Sequence, residues 1–233
     1  MRAILMFTGL LLLGGCAGQQ PDGLSRLLGG GSCSKPDADQ QLSLDMADQM
    51  INEGRPHAGL AHLEQLPESL DQVRLRKAKV LRLLGRNEAE PLYRSLLGGC
   101  LAAEGEHGLG QIASARGDDQ QALRHLQRAV RLAPTDEKVR NDLGVVQMNL
   151  GQHAQARFEF LTAIELKDDN PLPAINLVTL LLVQDNWNQA EDLVRRLHLG
   201  AAQFAEAQAR AARLKAGARG PLAAAAQPPA LVN

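Results

Sequence analysis

The chain has 233 residues, 45% of them apolar and only 3% aromatic, with 25 basic against 26 acidic side chains. That balance lacks the concentrated basic character of a nucleic-acid binder, and no run reaches the roughly 18 apolar residues of a membrane-spanning helix. Abundant Ala and Leu with few aromatics favour helix over sheet.

The first residues, MRAILMFTGLLLLGGC, set Arg2 ahead of an apolar run from Ala3 to Leu13, followed by Gly14, Gly15 and Cys16. Basic, apolar, small is the order of a secretory signal. An ordinary cleaved signal or an uncleaved anchor would share that order, but the run is short for an anchor and no Ala-x-Ala site precedes the polar stretch. The segment LGGC resembles the lipobox of bacterial lipoproteins. The resemblance implies that residues 1–15 are a signal peptide and that Cys16 is lipidated and begins the mature protein. By the same resemblance, Ala17 in place of Asp implies the outer membrane, with the protein facing the periplasm. Residues 16–39, rich in Gly, Ser, Pro and Gln, read as a flexible tether. Coil scaling gives it a mean reach of roughly 25 Å.

Beyond the tether the sequence repeats. GDDQQALRHLQRAV from Gly117, GQHAQARFEFLTAI from Gly151 and DNWNQAEDLVRRLH from Asp185 superpose at a spacing of 34 residues. Ala122, Ala156 and Ala190 coincide, as do Leu126, Phe160 and Val194, and upstream Leu109-Gly110, Leu143-Gly144 and Leu177-Val178. Two weaker copies precede them at 43–66 and 73–97, the second needing one inserted residue. This period, with small residues at these offsets, resembles the tetratricopeptide repeat. The resemblance implies an all-α solenoid of about five units over residues 40–216, each an antiparallel helix pair A and B, closed by a capping helix at 205–216. Pro134 fills the family's closing position, whereas Val178, Val194 and Ala202 make the last unit the most divergent. The Ala/Pro-rich residues 217–233 read as a disordered tail.

The repeat also decides a second motif. Gly108-Leu109-Gly110-Gln111-Ile112-Ala113 fits a dinucleotide-loop fingerprint, which requires a preceding strand. No Val/Ile-rich run precedes it, and Gly110 recurs as Gly144, so Gly110 reads as a contact point between paired helices. Gly108 is left as a residue that weakens the helix start.

Residues for catalysis are few. His57, His62, His107, His125, His153 and His198 form no metal-binding pair and read as surface residues, and the acids Asp118-Asp119 and Asp168-Asp169 read as helix caps. No cofactor, metal or small-molecule substrate is expected. Cys33 and Cys100 are either isolated thiols or, in an oxidising periplasm, a disulfide worth about 4 kcal/mol for a loop of this length. The tetratricopeptide resemblance also places a partner-binding groove on the A helices. Counted from residues 103, 137 and 171, it comprises Glu104, His107, Gln111 and Ser114, then Lys138, Asn141, Val145, Met148 and Asn149, then Leu172, Ile175, Thr179, Leu182 and Val183. The apolar end of this face either receives a partner segment or lies under the capping helix. The family's chaperone-tail clamp is not matched, since His107 and Gln111 stand where it would have Lys and Asn.

Lipobox, tether and repeats together resemble the TadD-type lipoproteins of the Flp, or tight-adherence, pilus system. That resemblance implies a non-enzymatic assembly factor at the outer membrane, with protein partners in the pilus apparatus. Pilotin-like lipoproteins of type IV pili or type II secretion share the architecture, and a regulator of cell-wall synthesis is a further alternative.

Overall fold

The computed structural model describes residues 33–167 and 169–217. Cys16, the tether up to residue 32, Asp168 and the tail from residue 218 lie outside the described residues. Eleven helices and no strand are found among those described. In chain order they are α1 (Ala38–Asn52), α2 (Pro56–Leu63), α3 (Asp71–Leu83), α4 (Ala89–Ser95), α5 (Ala102–Ala115), α6 (Asp119–Leu132), α7 (Glu137–Asn149), α8 (His153–Leu166), α9 (Pro171–Val183), α10 (Trp187–Arg196) and α11 (Ala201–Lys215). They pair α1/α2 through α9/α10 as five A/B units, and α11 packs along α9. The fold is the expected all-α tetratricopeptide solenoid.

Local chemistry sets the helix ends. Asp37 accepts a bond from the Gln40 amide, and the Gln40 side chain accepts from the Asp37 amide. This capping box starts α1 at Ala38, two residues ahead of the expected boundary. Asp118, Asp136 and Asn170 cap α6, α7 and α9 in the same side-chain-to-amide manner. Between helices A and B the chain reverses through a left-handed residue, Gly117 (φ 77°), Gly151 (φ 73°) and Asp185 (φ 61°), spaced by the repeat.

Packing inside the third and fourth pairs relies on absent side chains. A Cβ on Gly144 would lie 2.6 Å from the Phe160 ring, and one on Gly110 2.7 Å from Leu126. Both glycines therefore mark close approach of A to B, as the repeat predicts. Apart from Asn176 and Thr179, helix α9 is apolar, and it is buried on nearly every side, the sequence signature of a helix enclosed by others. Its covers are α7, α8, α10 and α11. The capping helix begins at Ala201, four residues before the expected start, because the Gly200 amide bonds the Gln203 side chain and opens the helix there.

Candidate functional site: a polar groove on the A helices

The concave wall of α1, α3, α5 and α7 encloses a groove of about 860 Å³ that reaches Leu172 at the start of α9. Its floor is a chain of hydrogen bonds running from one A helix to the next. His107 Nε2 and Gln111 Nε2, both on α5, donate to Asp142 Oδ2 on α7 at 2.7 and 2.8 Å. Asn141 donates to the other oxygen of Asp142 at 3.3 Å. Asn176 on α9 donates to Asn141 Oδ1 at 2.8 Å, and Arg210 on α11 donates to Asn176 Oδ1 at 2.7 Å. Asn141, Asp142 and Asn176 are buried, so each bond removes a desolvation cost of about 1–3 kcal/mol.

Burial pushes the Asp142 carboxyl upward, but the bonds from His107, Gln111 and Asn141 outweigh it and hold the pKa below the ordinary aspartate value. A similar contest holds Glu106 low, where desolvation is overcome by Arg128 and His125.

The upper wall carries charge. Asp48 is spent on Arg76 at 2.8 Å, and Asp136 on capping α7. Lys79 and Lys138 face solvent in the groove, and their side chains make no hydrogen bond or ion pair among the described residues. Desolvation by the surrounding wall lowers the Lys79 pKa, Glu104 opposes that, and Arg76 and Lys138 add to it.

The residues expected in the groove divide into two sets. His107, Gln111, Lys138, Asn141 and Leu172 line it. Ile175 and Leu182 do not: they are 5% and 1% exposed, in one core with Ala207, Ala211 and Phe204 of α11. Met148 lies in the same core and Val145 packs against it. The apolar end of the A-helix face is therefore an internal surface, closed by the chain's own last helix.

Counting only the expected concave positions misses Asp142, Asn176 and Arg210. Arg210 stands 34 residues after Asn176, so continuing the repeat into α11 finds it. The reading of all six histidines as surface residues also fails. The His107 and His125 side chains are 17% and 12% exposed and are held by Asp142 and Glu106.

Cys33 and Cys100 are joined as a disulfide with Cα atoms 5.4 Å apart. Asp71 Oδ2 lies 3.5 Å from Cys100 Sγ. These three residues are grouped closely enough for metal ligation, but bonded sulfurs are not the thiolates that a metal takes as ligands. No helix among the described residues is long and apolar enough to cross a membrane.

Stacked helix pairs with a polar groove define a repeat scaffold. The comparisons with known proteins give the family. A sequence model described as tetratricopeptide repeat matches residues 113–172. The TPR repeat-containing protein PA4299 of Pseudomonas aeruginosa is 43% identical over 204 residues, covering 86% of this chain and 80% of that protein. The chain belongs to the tetratricopeptide-repeat family, whose domains bind protein partners. Solved structures share the fold. TTC0263, a thermophilic TPR protein of Thermus thermophilus, superposes with a TM-score of 0.59 at 22% identity, over 75% of this chain and 97% of that one. The Pseudomonas aeruginosa pilF protein gives 0.59 at 19%, over 75% and 80%. YrrB, described as a TPR protein with an unusual peptide-binding site, gives 0.53 at 18%, over 72% and 90%.

Proposed function

We propose that this protein is a lipid-anchored scaffold of the outer membrane, facing the periplasm, that holds a segment of a protein partner while a secretion apparatus assembles. The Flp or tight-adherence pilus is the apparatus that the architecture fits best. The observation that carries the reading is the groove itself, a long concave surface with a hydrogen-bonded floor. The same side chains argue against a reaction centre: His107 is committed to Asp142, and neither is paired with a nucleophile among the described residues. YrrB, which shares the fold, is described as having a peptide-binding site, which supports a polypeptide as occupant. The LGGC segment supports anchoring through Cys16.

Two measurements in the native host test the proposal. Replacing Cys16 with Ser should move the protein from the membrane fraction to the soluble periplasm, and unchanged retention would remove the lipid anchor. A photo-crosslinking amino acid at Gln111 should capture a pilus-apparatus subunit, while one at Arg131 on α6 should not. Capture of a type II secretion subunit or a cell-wall synthase at Gln111 would reassign the system. Equal capture from both positions would remove the groove as the docking surface.

A further inference from the structure

We infer that the segment held in the groove is acidic, its carboxylates meeting Lys79 of α3 and Lys138 of α7 on either side of α5. This rests on the groove being the docking surface and specifies what docks there.

Most charges on the groove wall are already engaged. Of the acids, Asp48 is bonded to Arg76, Asp136 caps α7 and Asp142 accepts from His107 and Gln111. Glu104 alone has no hydrogen bond or ion pair among the described residues. Of the cations, Arg76 is held by Asp48 and Gln72 and Arg82 lies against the Tyr93 hydroxyl, whereas Lys79 of α3 and Lys138 of α7 stand open to the groove. The two ammonium groups share the groove with one uncommitted carboxylate, so its available field is positive. Carboxylates brought to Lys79 and Lys138 would complete ion pairs in partly desolvated surroundings, where they are worth more than on open surface.

The floor then sets the form of the occupant. Its amides and carboxylate are bonded to one another, and the apolar lining residues Ile51, Val80, Leu83 and Leu172 are divided among α1, α3 and α9. The apolar part of the A-helix face is shut beneath α11. An extended acidic strand that crosses α5, with acids reaching both lysines, fits this surface.

The test uses the full oxidised chain in detergent and three short fluorescein-labelled peptides of alternating Ser with Glu, Gln or Lys. Fluorescence anisotropy in about 0.15 M salt should show the Glu peptide binding in preference to the other two. The Lys79→Ala/Lys138→Ala variant should bind it about tenfold more weakly. Arg131→Ala, which removes an exposed cation from α6, should bind like the parent, and matching circular-dichroism melts would show that every variant folds. Equal binding of the Gln peptide, preference for the Lys peptide, full affinity in the double-lysine variant or no binding by any peptide would each overturn the acidic specificity. Crosslinking from Gln111 reads the groove independently of charge, so a failure there is separate from a failure here.

Discussion

The ring of Tyr93 on α4 occupies the space where Gly108 on α5 would carry a side chain: a Cβ there would overlap Tyr93 Cε1 and Cζ. Tyr93 is 1% exposed and its hydroxyl is held by Arg82, while burial pushes its pKa up. Displacing the ring would sacrifice that burial. Gly108 therefore seats unit two against unit three and is no weak point at a helix start.

The sign of one mutation separates those roles. If Gly108 only loosened α5, Gly108→Ala would stabilise the protein by about 0.5–1 kcal/mol. With Tyr93 in place, the added methyl overpacks a closed contact, and we expect a loss of about 1–3 kcal/mol in urea unfolding. Combining it with Tyr93→Leu should recover part of that loss, as the double-mutant cycle requires for groups in contact.

This pair shows where the sequence was legible. Gly110 and Gly144 meet Leu126 and Phe160 within their own units, so one period of the repeat exposes both the glycine and its partner. Gly108 meets a residue of the preceding unit, in the part of the chain where the repeat is broken by an insertion, and no comparison of in-phase positions pairs them. The groove divides the same way. His107, Gln111 and Asn141 fall on the expected concave positions, but Asp142 and Asn176 lie one position further along their helices and are found only when the bonds across helices are seen. Ile175 and Leu182 carry the right periodicity for the concave face. Whether such residues meet solvent depends on what the last helix covers, which periodicity does not encode.

The hydrogen-bonded floor should behave as one unit. Asn176→Leu removes the donor to Asn141 and the acceptor for Arg210, leaving buried polar atoms without partners. We expect a loss of about 1–3 kcal/mol. The effect should be less than additive with Asn141→Leu, because both variants remove the same bond. Full additivity in chemical denaturation would show that the bond contributes nothing.

Acid should weaken the same structure through Asp142. Its folded pKa lies below its ordinary value, so the stabilisation is present above the ordinary aspartate range and is lost as pH falls through the depressed folded value. In that window the unfolded chain binds more protons. Asp142→Asn removes this contribution, so urea midpoints measured from about pH 6 to about pH 3 should fall less steeply in the variant than in the parent. Parallel curves would mean that the Asp142 charge is not coupled to folding.

The disulfide joins residues 67 apart in sequence, tying the start of the described chain to the loop between α4 and α5. Chain-entropy reasoning puts its contribution at about 4 kcal/mol. Cys33→Ser and Cys100→Ser should each lower the urea midpoint, and adding reductant to either should change nothing further. A midpoint shift in the parent with reductant, absent in both variants, would assign the whole effect to this bond.

Units three and four fill the same two repeat positions with different pairs, Glu106 with His125 and Arg140 with Glu159. Glu106 on α5 accepts from His125 and Arg128 on α6, each at 2.6 Å. At the equivalent positions one unit on, Arg140 on α7 donates to Glu159 on α8 at 2.7 Å. The Arg140 and Glu159 side chains are 14% and 10% exposed, so neither charge is readily hydrated if its partner is lost. Arg140→Glu would set two carboxylates together in that site, and we expect a loss of about 3–5 kcal/mol. Arg140→Glu/Glu159→Arg restores attraction between the two positions and should regain most of it. If the double exchange is as damaged as the single, the pair is held by packing around the arginine stem rather than by charge; urea unfolding of the four proteins separates the two.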